Sequence, residues 1–129
     1  MILVDTDVVS LLFKRHPLAR AFAEPPKRHQ LYISFATAAE IEFGMQRSAW
    51  GEQRRQDMAA HLADYAVIES NPVICRQWAL VMNESFLKGR VMSHPDAWIA
   101  ATALIIDVPL ATNNLRHFRH LDRLKFLLP

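Results

Sequence analysis

Apolar positions along this chain alternate between short unbroken runs and longer helical stripes. Ile2-Leu3-Val4 is stopped at once by Asp5-Thr6-Asp7, and a second apolar stretch, Val8 to Phe13, follows. A run this short and this apolar predicts a strand buried on both faces, the kind found inside a parallel sheet, and then a short helix. Leu31 to Phe35 repeats the signal and predicts a second buried strand. From Thr37 to Arg47 the spacing predicts a helix, with Ser34 and Thr37 as candidate caps. Ile41 and Met45 share one stripe of it, and Glu40, Gly44 and Arg47 another. A glycine inside a helix costs about 1 kcal/mol against alanine. Gly44, one turn past Glu40, therefore predicts a close approach by another group.

Pro17 opens a helical piece that Pro25-Pro26 ends. Gly51 to Asp64 reads as a helix with Met58 and Leu62 inward and Arg54-Arg55 outward, and Tyr65 to Ile68 as a short strand. Asn71-Pro72 starts the longest helix, with Cys75, Ala79, Met82 and Phe86 as its apolar stripe and Gly89 just past its end. Ser93-His94-Pro95-Asp96 leads into Ala97–Asp107, whose four alanines (Ala97, Ala100, Ala101, Ala103) let it lie close against a sheet. Pro109 to Ala111 reads as a strand ending in Thr112-Asn113-Asn114. A helical turn through Phe118 and a last strand around Lys125 to Leu128 complete the pattern. Alternating strands and helices predict an α/β fold, a three-layer α/β/α sandwich with a mostly parallel central sheet.

Composition narrows the class. The 129 residues suit one domain over 1–129, and 51% hydrophobic residues with three glycines argue against disorder. The formal charge is only +2, but Arg116, Arg119, Arg123 and Lys125 concentrate near the end against a single Asp122. Basic patches around an acidic site suit a polyanion such as nucleic acid, although on charge alone ordinary solvated faces are the commoner account. The single Cys75 excludes an intrachain disulfide and a cysteine zinc site, fits a reducing cytoplasm, and is placed on a helix core face. Asp5 and Asp7 interrupt the first apolar run, which is unlike a signal peptide, and no run reaches membrane-spanning length. The expectation is a soluble, cytoplasmic protein.

Four acidic residues stand beside apolar, sheet-proximal segments: Asp5 and Asp7 after the first strand, Glu40 in a helix, and Asp96 at the head of the alanine-rich helix. Each has a plain structural account. Asp5-Thr6-Asp7 can cap the following helix, Ser93-x-x-Asp96 is a complete capping box, and Glu40 can be a solvated helical Glu. Together they suggest more, because the carboxyl ends of strands are where open α/β sheets bind ligands. Carboxylates held a few ångströms apart repel, so at least one pKa rises unless a divalent cation neutralises them. An oxygen-only set suits Mg²⁺ or Mn²⁺, with positions left for water and a phosphodiester.

With these residues assembled, the chain resembles a PIN domain, specifically the VapC-type ribonuclease toxins of bacterial toxin–antitoxin pairs. The resemblance spans essentially the whole chain and rests on four stretches in order. They are Leu3-Val4-Asp5-Thr6-Asp7-Val8, Thr37-Ala38-Ala39-Glu40-Ile41-Glu42-Phe43-Gly44, Asp96-Ala97-Trp98-Ile99-Ala100-Ala101-Thr102-Ala103, and Pro109-Leu110-Ala111-Thr112-Asn113-Asn114 with Phe118. It implies a metal-dependent endoribonuclease that is held by a VapB-like antitoxin and is usually a homodimer. Carried over by position, Asp5, Glu40 and Asp96 match the catalytic acids, with Asp5 and Asp96 as the metal ligands. Thr6, Asp7, Thr112, Asn113 and Asn114 match supporting positions. Asn114 stands where many PIN domains carry a fourth acid, which weakens the case for a second metal. Arg116, Arg119 and Lys125 are candidates for gripping RNA.

Two other readings compete. Val4-Asp5-Thr6-Asp7-Val8 imitates the nucleophile motif of haloacid dehalogenase-type phosphatases, with Asp5 as nucleophile and Asp7 as general acid. That chemistry also needs a downstream Lys and acidic pair that the Thr112-Asn113-Asn114 strand end does not supply. The second alternative is a non-catalytic PIN-fold module that only binds RNA or a partner.

Overall fold

The computed structural model describes residues 1–17 and 30–127. Its core is a four-stranded sheet of β1 (Ile2–Val4), β2 (Leu31–Ser34), β3 (Tyr65–Ile68) and β4 (Leu110–Ala111). The strand order is β3-β2-β1-β4 and every pairing is parallel, so the expected mostly parallel sheet is wholly parallel among the described residues. The helices are α1 (Thr6–Phe13), α2 (Phe35–Arg47), α3 (Glu52–Leu62), α4 (Pro72–Leu87) and α5 (His94–Ile106), followed by a 3-10 turn at Leu115–His117. The helical piece expected after Pro17 lies outside the described residues.

The alternation along each strand produces the three layers. Leu3 and Leu110 point to one face and pack with Val81 of α4, Ala97, Ala100 and Ala103 of α5, and Phe118. Ile2, Val4, Ile33 and Ala111 point to the other and pack with Val8 and Val9 of α1, Ile41 and Met45 of α2, and Met58 of α3. Strands covered on both faces are almost free of polar residues, which explains the runs in the sequence. The small side chains of α5 let its backbone close onto the sheet: Ala97, Ala100 and Ala101 are wholly buried.

Caps set most boundaries. Ser34 caps α2 by accepting from the Ala36 amide (3.0 Å), Asn71 caps α4 through the Ile74 amide (2.9 Å), and Ser93 caps α5 through the Asp96 amide (3.2 Å). Such caps contribute about 1 kcal/mol each. Because Ser34 is the cap, the strand ends one residue earlier than expected and Phe35 is already helical, while Thr37 lies buried inside α2 and caps nothing. Gly89 adopts φ +67 and ends α4 in a Schellman turn, its amide donating to the Phe86 carbonyl and the Arg90 amide to the Ser85 carbonyl.

Three further expectations change. The buried face of α4 is Ile74, Gln77, Val81 and Ser85, while Cys75 is exposed and Phe86 is 79% exposed. The predicted stripe was one residue out of phase, because apolar side chains occur on nearly every face of α4 and the pattern has little contrast. Gly44 meets no close approach: an added Cβ would find nothing within 4 Å. The last strand reduces to one parallel bridge, Leu110 with Phe126, flanked by Lys125 and Leu127 backbone bonds to Leu110.

The strand order has one consequence for the site. From β1 the chain steps outward through β2 and β3, and β4 then returns to the opposite side of β1. The switch point of the sheet therefore lies between the carboxyl ends of β1 and β4, where α/β sheets open a crevice. Asp5 and Thr112 immediately follow those two ends.

Candidate active site

Asp5 is 4% exposed and plays two structural parts. As the N-cap of α1 it accepts from the Thr6 amide through Oδ1 (2.7 Å), and through Oδ2 it accepts the Thr112 hydroxyl (2.7 Å). The Asp5 amide donates to the Ala111 carbonyl (2.9 Å), which continues the β1–β4 ladder past the strand ends. The capping account of this residue is correct, and it leaves one lone pair on each oxygen. Burial pushes the carboxyl from 3.8 to about 6, with Asp7 and Asp96 adding repulsion and the Thr112 and Thr6 bonds opposing it.

Thr6 connects the first strand to α2. Its hydroxyl donates to Glu40 Oε1 (2.7 Å) and lies 3.0 Å from the buried Thr37 hydroxyl. Glu40 is half-buried, one turn beyond Thr37, and is not the free solvated Glu of the plain reading. Its pKa is raised by burial and by Asp96 and Asp7, against the Thr6 bond.

Asp96 sits at the head of α5, where its amide donates to the cap Ser93, so that half of the expected capping box coexists with the acidic cluster. Its Oδ2 is 3.2 Å from His117 Nδ1, which comes from the 3-10 turn after β4. Burial raises its pKa, His117 lowers it, and Asp7 raises it further. Asp7 is exposed on the first turn of α1 and accepts a hydrogen bond from the Asn114 side-chain amide. Asn114 also donates its backbone amide to Thr112 Oγ1 (3.0 Å). Asn113 is exposed. His117 was not singled out in the sequence, and Thr37 was read only as a candidate cap. Only the position of His117, three residues after Asn114, hints at it.

The structure thus gathers Asp5, Asp7, Glu40 and Asp96 at one sheet end, and Asp5, Glu40 and Asp96 each feel at least one other member as a repelling charge. Among the described residues, no three Asp, Glu, His or Cys side chains converge tightly enough to hold a cation between them. The donor set fits a hard divalent cation held by one or two carboxylates, with water and substrate oxygens completing the shell. Burial is the first cause of each raised pKa in this set, and repulsion between the carboxylates adds to it.

The basic candidates separate. Arg116 and Arg119 line a cavity of about 340 Å³ with Arg90, His117 and His120, and His117 in turn touches Asp96. Lys125 does not. It pairs with Asp107 (3.3 Å) at the carboxyl end of α5, the far end from Asp96, along a helix of about 20 Å. No described helix is long and apolar enough to cross a membrane.

A wholly parallel sheet with acids after β1 and on α2 and α5 at its switch point defines a protein of the α/β class, and the comparisons name its family. The chain belongs to the PIN domain family, whose model matches residues 2–124. Within it the chain is similar to Ribonuclease VapC10 of Mycobacterium tuberculosis, 31% identical over 126 residues and covering 97% of this chain and 91% of that protein. It is also similar to Ribonuclease VapC1 of Haemophilus influenzae, 27% identical over 126 residues and covering 96% and 94%. The structure of VapBC-1 from nontypeable Haemophilus influenzae matches with a TM-score of 0.86 at 28% identity, over 98% of this chain and 97% of that one. VapBC2 from Rickettsia felis, bound to a promoter DNA fragment, matches with a TM-score of 0.86 at 22% identity over 98% of both chains, a likeness of fold alone. The family membership and fold expected from the sequence both hold, and the dehalogenase-type phosphatase reading falls with them.

Proposed function

We propose that this chain is an endoribonuclease toxin that hydrolyses RNA phosphodiester bonds with Mg²⁺ or Mn²⁺, acts in the cytoplasm as a homodimer, and is neutralised by a VapB-like antitoxin. The observation that carries the reading is the convergence of Asp5, Glu40 and Asp96 at the β1–β4 switch point, with Asp5 pushed up to about 6. The ribonuclease names of the relatives support the reaction class, and the VapBC complexes among the structural matches support the partner.

Asp5 and Asp96 would hold the cation, which supplies charge neutralisation and Lewis acidity towards a phosphodiester oxygen. The chain's own groups do the rest. Thr6 and Thr112 fix both Asp5 oxygens, so that carboxylate cannot rotate. Glu40, aimed by Thr6, orients the attacking water and accepts its proton, and its raised pKa makes it the better base. Water oxygen bonds to phosphorus as the bond to the 3′ oxygen breaks, leaving 5′-phosphate and 3′-hydroxyl ends. His117 holds Asp96 from the outer side, and Asn114 holds Asp7. Arg116 and Arg119 grip the RNA backbone near Asp96; Lys125 is too far away to share that role.

The test incubates purified protein with RNA in Mg²⁺, in Mn²⁺ and in chelator. Cleavage that leaves ligatable 5′-phosphate ends, stops in chelator and is lost in a folded Asp96→Asn variant supports the proposal. RNA binding without cleavage in either metal selects the non-catalytic module instead.

A further inference from the structure

A cavity of about 440 Å³ opens between α1, α2 and α3, and Thr6 and Glu40 form part of its wall. Whatever fills it lies against the acidic cluster. The remaining wall is chemically mixed. Phe13 and Trp50 stand nearly parallel there, with ring centroids 5.7 Å apart and planes 22° apart. Lys14 and Arg54 bring two cations to the same space, and the Arg54 guanidinium lies 3.9 Å over the indole centroid.

The chain spends backbone strain to set Trp50 in place. The α2 carboxyl end closes in a Schellman turn in which the Ala49 amide donates to the Gln46 carbonyl (3.1 Å) and the Trp50 amide to the Met45 carbonyl (3.0 Å). Ala49 takes φ +50 to do so, a conformation that glycine adopts more readily. Arg55 then donates through Nε to the Trp50 carbonyl (3.1 Å). An aromatic wall, two cations and a volume in the range of small-ligand clefts describe a pocket for a flat, anionic ligand.

The geometry points to this cavity as the subsite for one unpaired nucleotide of the RNA, adjoining the scissile phosphate. The base stacks on Trp50 in the place now covered by the Arg54 guanidinium, and Arg54 and Lys14 take the flanking phosphate. The assignment rests on the acidic cluster being a ribonuclease site. A nucleotide in reach of Glu40 is continuous with the bond being cut, so the pocket sets which unpaired base the enzyme accepts at one position. A protein segment is the competing occupant, and the two cations beside aromatic rings favour the nucleotide.

The test measures binding of short single-stranded RNA in chelator and, separately, its cleavage in Mg²⁺. Substrates carry an abasic residue at each position flanking the cut in turn. Stacking of one base predicts that Trp50→Ala weakens RNA binding and raises KM about tenfold, with kcat within a few-fold of wild type. Wild type loses the same factor on RNA abasic at one position only, and Trp50→Ala loses nothing more there. Trp50→Phe restores most of the affinity. Lys14→Ala and Arg54→Ala, both at exposed positions, lower affinity and flatten its salt dependence, which keeps the test open if Trp50→Ala fails to fold. Equal loss on intact and abasic RNA, or unchanged RNA affinity with loss of antitoxin binding, overturns the subsite. If wild type shows the abasic-dependent binding but never cleaves, the ribonuclease reading fails and the cavity is a nucleotide-binding pocket only, not a cleavage subsite.

Discussion

Replacing Asp5 by Asn should stabilise the metal-free protein. The carboxyl of Asp5 is raised from 3.8 to about 6, chiefly by burial. Between those two values the folded state binds a proton that the unfolded chain has released, so stability falls as pH rises through the window. Below about pH 4 the cost is absent, and above about pH 6 it is complete. At about 1.4 kcal/mol per pH unit the gap amounts to about 3 kcal/mol. Asparagine carries no charge to desolvate and keeps an oxygen for the Thr6 amide, while its NH₂ can donate to the Thr112 hydroxyl. For a domain of this size the gain corresponds to roughly 10 °C in Tm. The assay is thermal unfolding of wild type and Asp5→Asn in chelator from pH 4.5 to 8. His61 and His120, whose pKa values burial lowers, lose stability as pH falls below 6.5 and tilt both curves the other way. The difference between the curves is therefore the readout: about 1 kcal/mol in favour of the variant at pH 4.5, rising to about 3 kcal/mol by pH 7.5. Mg²⁺ should close the gap by stabilising wild type more. A variant that melts below wild type at pH 7.5 in chelator would refute the desolvation argument.

Three other outcomes follow from the geometry. Thr6→Val removes the hydroxyl that lowers the Glu40 pKa, so the acidic limb of the pH–cleavage profile should move to higher pH; an unmoved limb separates Glu40 from the rate. Gly44→Ala, in open space inside α2, and Ala49→Gly, at φ +50, should each raise stability by up to about 1 kcal/mol in denaturant melts, and a loss from Gly44→Ala would revive the close approach first expected there. Cys75, exposed on α4, should react with a thiol reagent in the folded protein; reaction only on unfolding would return it to the core face.

Much of this was legible because it is written locally. Ile2-Leu3-Val4 against Asp5 fixes a strand and its end, and the alanines of α5 fix which helix lies closest to the sheet. That Asp5 and Thr112 would meet follows from the order of strands, and the hydrogen bond between them spans 107 residues. What failed lacked local contrast. On α4, apolar residues at Val73, Leu80, Phe86 and Leu87 are exposed while Gln77 and Ser85 are buried, so hydrophobicity misplaced the face. Gly44 implied a neighbour but borders an open cavity, which no composition rule predicts. Lys125 belonged to the basic run by sequence but turned to Asp107, because charge along a chain does not say which end of the sheet it reaches. His117 went unmarked in the sequence and proved to be the partner of Asp96, a pairing that the 3-10 turn after β4 creates.

The central claim is that the acids at the β1–β4 switch point hold a divalent cation that RNA hydrolysis requires. A titration of Mg²⁺ into an RNA-cleavage assay, run in parallel on wild type and on Asp5→Asn verified as folded, tests it most directly. The account predicts saturable cleavage by wild type, none in chelator, and a rate lower by roughly 10²–10³-fold or more in the variant at every Mg²⁺ concentration. Cleavage by Asp5→Asn at the wild-type rate, or by wild type at full rate in chelator, would contradict it.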